Sequence, residues 1–386
     1  MTKDGKEVKI LCVFSRLLGG KVFTNDVVEL IKDNKNIIPT YLFIDNEDYR
    51  RYSAPMAIRF SSALETLWVL KKKYSGIAKN IDFDMLFIQG FELTVGLFNI
   101  IKKTPTLVFL DSTPILSHRL IANSTSSHLA KMRSNMASFI SLGIFRKVFS
   151  QVDMFIPRTS WCADSLIEDF GINPEKIRVT AGFKDLLLWC PIEKNKKEKL
   201  SLLLVGNNFK QKGGEFILEI YEKYLSGRFL LRIVSNDKFI PDLSHVEGVE
   251  VIKKLSHKNI SKLVNIYQTS DIFIFPTRLD KLGLVLTEAT AVGLPIIASN
   301  TGGVKEFVKD GFNGFLMPYN SKPEDWAKKI MALSENEELL KEFSRNSRKL
   351  AEEKLQKKDF METIEKAIKE LSVSKSKTKL PDRKDE

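Results

Sequence analysis

The chain has 386 residues, 43% of them hydrophobic, enough apolar material for two or more domains of about 150 residues each. Its 60 Lys and Arg against 48 Asp and Glu leave a net charge of +12, which suits an anionic ligand or surface without selecting one. The three cysteines, Cys12, Cys162 and Cys190, are odd in number and far apart, so they indicate neither a disulfide framework nor a zinc site.

No apolar run reaches the roughly 18 to 20 residues that cross a bilayer, and the opening MTKDGKEVKILCVF reads as a strand and not a signal peptide. The expectation is a cytoplasmic protein. Short apolar strands alternate with helical patterns, the arrangement of parallel sheets with helices on both faces. In the first half, strands are expected near residues 8–14, 37–44, 84–90, 104–110 and 153–158, followed by 177–182, IRVTAG. Gly19 and Gly20 stand just before a helix with apolar Val22, Val27, Val28 and Leu30, where glycine lets backbone approach a ligand. The single D-x-D, Asp82 to Asp84, lies at the mouth of the strand beginning at Met85 and is read as a strand entry, not a metal site.

Asp111 ends the strand TLVFL, and His118 follows it within a helical pattern. Between Asp111 and Asp153 there is no acid, while Arg119, Lys131, Arg133, Arg146 and Lys147 are interleaved with large apolar residues. A second basic cluster runs from Arg50 to Lys79. Basic amphipathic segments of this kind lie on anionic membrane surfaces, and the alternative is ordinary helices with solvated lysines. A charged, strandless stretch at 186–199 precedes a restart of strands near 200–206, 229–235, 249–255, 271–277 and 294–299. One long helical pattern covers about Glu337 to Leu371, and the tail from Ser372 has almost no apolar residues and reads as disordered.

The second half carries the chemistry. After the strand ending at Gly206, a loop containing Asn207, Lys210 and Lys212 leads to Gly213, Gly214 and a helix. The strand DIFIFPT leads to Asp280, and a helix starts near Gly283 and places Glu288 about one turn inside. The strand LPIIAS is followed by Gly302 and Gly303, a turn expected to open another helix. Two helix N-termini then face one crevice at the carboxyl ends of parallel strands, a place that binds anions.

This order of elements resembles the C-terminal half of the retaining nucleotide-sugar glycosyltransferases of family 4, the glycosyl transferases group 1. The resemblance rests on the E-x7-E region, represented by Asp280 and Glu288, on A-x-A-x-G-x-P in residues 289–295, on GGVKEFVKDGFNGFL, and on Gly206, Lys212 and Gly213 in a G-R-L-x-x-x-K-G turn. It implies an α/β chain of GT-B fold, two Rossmann-like doubly wound domains facing a central cleft. Residues 1–185 would bind the acceptor, 186–200 link the domains, 201–345 bind the nucleotide sugar, 346–371 form a helix crossing back, and 372–386 form the tail.

The implied activity is retaining transfer of a hexosyl unit from a UDP- or GDP-sugar to a hydroxyl of a polysaccharide, glycolipid or small glycoside, with the nucleotide sugar as co-substrate and no metal required. Asp280 would contact hydroxyls of the transferred sugar and Glu288 the ribose. Lys212, Lys210 and the backbone around Gly19, Gly20, Gly206, Asn207, Gly283, Leu284, Val285, Gly302 and Gly303 would face the donor. Asp111 stands where the family commonly has a catalytic histidine, with His118 as a substitute. The sequence departs from the family at Asp280 in place of Glu, at Asn207 in place of Arg, and in D-K-L-G-L in place of E-G-F-G-L. The partner implied is a sugar acceptor; the basic segments of the first domain add, as one reading beside ordinary helices with solvated lysines, a lipid-linked acceptor and peripheral contact with the inner face of an anionic membrane. Nucleic acid is not expected, since no stacking motif or recognised module is present. Alternative readings are a catalytically silent nucleotide-sugar-binding protein of the same fold and a GT-B nucleotide-sugar epimerase.

Overall fold

The computed structural model describes residues 7–16, 20–32, 34–52, 62–77, 81–124, 127–195, 197–253, 255 and 259–374. The chain divides into two compact units. One comprises Met1–His118, Asn135–Thr180 and Met361–Glu386, and the other Arg119–Ser134 and Ala181–Phe360.

The first unit is built on five strands, β1 (Val8–Ser15), β2 (Ile37–Ile44), β3 (Met85–Gln89), β4 (Thr106–Leu110) and β5 (Met154–Pro157). Their order is β2-β1-β3-β4-β5, and every pairing is parallel. The second unit holds β6 (Leu200–Val205), β7 (Phe229–Val234), β8 (Val249–Ile252), β9 (Ile272–Phe275), β10 (Ile296–Ser299) and β11 (Gly314–Met317). Their order is β11-β10-β9-β6-β7-β8, again parallel throughout. A parallel sheet is covered by helices on both faces, so its strands read as unbroken apolar runs. TLVFL in β4 and IFIF in β9 are buried at every position.

Counted within its own unit, the second sheet runs 6-5-4-1-2-3, the doubly wound order in which the strand order reverses between the first and fourth strands. That reversal falls between β6 and β9. Connections leave in opposite directions there, and the crevice outside the carboxyl ends of those two strands is left uncovered. The first sheet has the flavodoxin-like order 2-1-3-4-5 with its reversal between β1 and β3.

Three local readings change. Residues 177–182 form no strand: the segment runs beside β5 with an isolated bridge between Phe155 and Ile177 and bonds from Arg178 N to Phe155 O at 2.9 Å and Thr180 N to Pro157 O at 3.1 Å. β11 is an edge strand of four residues, too short for its period to show against the glycine turn before it. The long pattern at 337–371 is two helices, Glu337–Lys354 and Lys357–Ser374. The break allows Leu355 to be fully buried in the second unit's core, which a continuous helix would not aim the same way.

The Glu337–Lys354 helix also fixes the turn that follows the second unit's Leu284–Ala291 helix. Arg348 Nη1 donates to Ala291 O at 2.7 Å and Trp189 O at 2.8 Å, and its Nη2 to Leu186 O at 3.2 Å. Ser344 and Ser347 donate to Gly293 O and Leu294 O at 2.6 and 2.7 Å. Replacing Arg348 by Met keeps the aliphatic stem and strands these carbonyls. Arg348→Met is expected to lower unfolding stability by about 2 kcal/mol, on the scale of charge-assisted bonds, read from the urea midpoint.

Candidate active site

At the carboxyl end of β6 the chain turns through Gly206 to Gly213 and enters the Gly214–Ile220 helix. Gly213 has φ +80°, and a Cβ there would lie 2.1 Å from Pro276 O. This glycine lets the loop after β6 lie directly on the loop after β9. The two loops are laced together by Arg278 N to Gln211 O at 3.0 Å and Gln211 Nε2 to Leu279 O at 3.2 Å.

Lys212 and Asp280 meet where the loops touch, in a direct ion pair between Nζ and Oδ2. Both side chains are mostly buried, at 20% and 14% exposure. The other Asp280 oxygen accepts from the backbone of Gly283 at 2.6 Å and of Leu282 at 3.2 Å. It thereby satisfies orphan donors where the Leu284–Ala291 helix begins. Gly302, at φ +54°, brings a third segment in: a Cβ there would lie 2.0 Å from Asp280 O. Gly303 N donates to Lys281 O at 3.0 Å. Lys212, Asp280, Gly206, Gly213, Gly283, Gly302 and Gly303 therefore form one cluster, with Leu284 and Val285 half-buried at the helix start.

The glycine turn does not open an α-helix. It leads into the three-residue 3-10 helix Val304–Glu306, after which Asn313 ties the chain back by accepting from Lys309 N at 2.7 Å and donating to Phe307 O at 2.8 Å. One α-helix N-terminus from this pair of segments faces the cluster, not two.

Glu288 lies further along the Leu284–Ala291 helix. One oxygen pairs with Lys184 Nζ at 3.2 Å, and the other accepts from the Tyr267 hydroxyl at 2.7 Å. Tyr267 is fully buried. Burial, then the adjacent Glu288 charge, pushes its hydroxyl well above the ordinary tyrosine range, so it remains a donor. A carboxylate has about four acceptor positions, so two donors leave Glu288 capacity for hydroxyl groups of a ligand. Sequence reasoning missed both Lys184 and Tyr267. Neither stands in a motif, and they lie 104 and 21 residues from Glu288.

The remaining residues stand apart from this cluster. Lys210 is exposed and pairs with Glu215 at 3.6 Å. The Asn207 side chain accepts from Asn236 N at 3.0 Å, so it ties the loop after β7 to the loop after β6. In the first unit, Asp111 faces the buried Arg158 guanidinium at 3.3 Å. His118 Nε2 lies 3.1 Å from Ser141 Oγ, and burial lowers its pKa from the ordinary 6.5. Gly20 is the first residue of the Gly20–Lys32 helix, and Gly19 lies outside the described residues. Among the described residues, no group of three or more His, Cys, Asp or Glu is placed to hold a metal ion.

Two parallel α/β units, the second with a lysine, an acid and a glycine turn at its switch point, place the chain in the GT-B fold class. The glycosyl transferases group 1 family model matches residues 189–350, the part of the chain that carries the cluster. Sucrose-phosphate synthase from Thermosynechococcus elongatus superposes with a TM-score of 0.75 at 14% identity, covering 95% of this chain and 100% of that one. HepE from Anabaena, solved in complex with UDP and glucose, gives 0.65 at 13%, covering 94% and 99%. At such identities the agreement concerns the fold. In sequence, a D-inositol 3-phosphate glycosyltransferase of Corynebacterium aurimucosum is 29% identical over 217 residues, 50% of this chain and 51% of that protein. An uncharacterized glycosyltransferase of Haemophilus influenzae is 31% identical over 172 residues, 42% and 48% respectively. The chain spans about half the length of these curated relatives.

Gly302→Ala is expected to be more destabilising than Gly311→Ala. Both glycines have positive φ, but a Cβ at Gly311 meets nothing within 4 Å. The second substitution should cost about 1–2 kcal/mol of strain, and the first about 1–3 kcal/mol more from the clash with Asp280 O; equal urea midpoints would contradict this.

The lowered pKa of His118 also has a sign. The unfolded chain takes up its proton near 6.5 and the folded chain at lower pH, so stability is retained above 6.5 and falls as the pH drops below it. His118→Gln should flatten that part of the stability profile between pH 7 and 5, measured by thermal unfolding.

Proposed function

We propose that this protein is a retaining hexosyltransferase that uses a nucleotide-diphosphate sugar, with the second unit binding the donor and the first the acceptor. The observation that carries the reading is the contact of Lys212, Asp280 and the Gly283 amide at the switch point between β6 and β9. An ammonium has three N–H donors, so a bond to Asp280 leaves two for an anion. The donor diphosphate lies against Lys212 and the start of the Leu284–Ala291 helix, where positive charge and helix dipole act together.

During transfer the acceptor oxygen bonds to the anomeric carbon on the face from which the diphosphate departs. The sugar–diphosphate C–O bond breaks with its electron pair going to the diphosphate oxygen, which receives the acceptor's proton. Lys212 and the backbone amides stabilise the charge that grows on that oxygen. Asp280 takes hydroxyls of the transferred sugar while keeping the helix start in place. Glu288, oriented by Tyr267 and Lys184, takes the ribose hydroxyls. UDP-sugars are the first donors to examine, since HepE was solved in complex with UDP-glucose. A lipopolysaccharide-type acceptor has the precedent of WaaG, a glycosyltransferase involved in lipopolysaccharide biosynthesis whose fold is similar at a TM-score of 0.65.

Calorimetric titration with UDP-, GDP- and ADP-sugars tests the reading. One nucleotide series should bind, with affinity reduced by roughly ten- to a hundredfold in Lys212→Ala, the scale of losing a charge-assisted hydrogen bond, and at least about tenfold in Glu288→Ala. Binding that both substitutions leave unchanged would place the donor elsewhere. Binding without nucleotide release in the presence of any acceptor would favour a silent sugar-nucleotide binder.

A further inference from the structure

Arg16 directly follows β1, at the reversal between β1 and β3 in the first sheet. Its guanidinium lies over the Phe43 ring, with Cζ 3.4 Å from the centroid. The Nε of Arg16 is buried and has no hydrogen-bond partner, and among the described residues no carboxylate pairs with this side chain. Lys73 and Arg158 of the same unit differ. Lys73 Nζ donates to both oxygens of the buried Asp48 at 2.6 and 2.7 Å, and Arg158 faces Asp111. Asp45, at the end of β2, caps the Asn46–Arg51 helix by accepting from Glu47 N and Asp48 N. A buried N–H without an acceptor is rare in a native protein. With these acids committed elsewhere, the acceptor it requires comes from outside the chain.

The surroundings indicate the chemistry of that partner. In the strand register Phe14 stands between Phe43 of β2 and Gln89 of β3, and Arg16, two residues on, continues their face at the carboxyl ends. Thr24, fully buried, donates from Oγ1 to Gln89 Oε1 at 2.7 Å and orients the amide, whose nitrogen carries two further donors. A guanidinium stacked on a ring keeps its N–H edge for a carboxylate or phosphate, which it meets bidentately. The crevice outside the carboxyl ends, where strand order reverses, is also where open parallel sheets bind ligands. We propose that Arg16 is a specificity-determining residue that takes a phosphate or carboxylate group of the acceptor, with Gln89 on the same face taking a hydroxyl, so that the acceptor is an anionic sugar or polyol. This rests on the transferase reading, which gives the acceptor to the first unit and the donor diphosphate to Lys212 in the second.

The test is calorimetric titration of the full chain with inorganic phosphate, glucose, glucose monophosphate and glucuronate. The charged probes should bind more tightly than glucose. Arg16→Gln should weaken glucose monophosphate by roughly ten- to a hundredfold, the scale of losing a charge-assisted hydrogen bond, and Arg16→Lys, which keeps the charge without the fork, by less. Affinity for nucleotide sugars should be the same in Arg16→Gln as in the wild type. Melting temperatures of both variants should match the wild type, since the Nε–H they remove has no partner to lose. Equal binding of glucose and its monophosphate, no binding of any probe, or binding that Arg16→Gln leaves unchanged overturns the proposal. So does a loss in Arg16→Gln confined to nucleotide sugars, which gives the guanidinium to the donor diphosphate. Phosphate binding that depends on Arg16 in a chain that binds no nucleotide sugar overturns the transferase reading and keeps the anion site.

Discussion

The Asp280 carboxylate is the point at which the second unit's switch region is held together. One oxygen holds the Lys212 ammonium from the loop after β6, and the other takes the Gly283 and Leu282 amides where a helix begins. Its own carbonyl is pressed by Gly302 from the loop after β10. A largely buried ammonium without a partner would cost several kcal/mol, and a buried carboxylate likewise. The pair therefore fixes the loops as well as the charges, and a ligand with its own negative charge can compete for Lys212 without leaving that cation unneutralised.

The helix that starts there has only eight residues, too few to be stable alone. It is held at both ends by tertiary contacts: the Asp280 carboxylate at the beginning, and Arg348 with Ser344 and Ser347 at the turn beyond its end. Glu288 in its middle is held by Lys184 and Tyr267. The Glu288 carboxylate is thus fixed in one orientation by partners that themselves sit in packed surroundings.

Much of this was legible in the residues because the signals are local. Parallel strands buried on both faces show as apolar runs, and ten of the strands fall where such runs stand. Gly213 and Gly302 stand out as turn residues, Lys212 and Asp280 lie in the loops just after strand ends, and Glu288 lies in the short helix that follows. Lys184, Tyr267 and Arg348 gave no signal, since their partners come from other segments. The difference at Asn207 was visible as a missing arginine, but only the fold shows its amide joining the loop after β7. Likewise Asp111 was visible as an acid in place of histidine, and the structure sets it beside Arg158.

The sequence by itself determined the alternation of strands and helices, the resemblance to group 1 glycosyl transferases, and the acid, lysine and glycine set that carries this resemblance. The alternation follows from hydrophobic period and turn chemistry, which act over a few residues, and the resemblance from the order of the motifs along the chain. Tertiary structure alone decided that Lys212 and Asp280 are directly paired, that the glycine pair leads into a 3-10 turn, and that the pattern at 337–371 breaks at Leu355. It also showed that the apolar residues of the His128–Phe149 helix divide between a buried face and an exposed one. Such outcomes depend on which surfaces meet when the sheets close, and a single chain segment does not specify its neighbours.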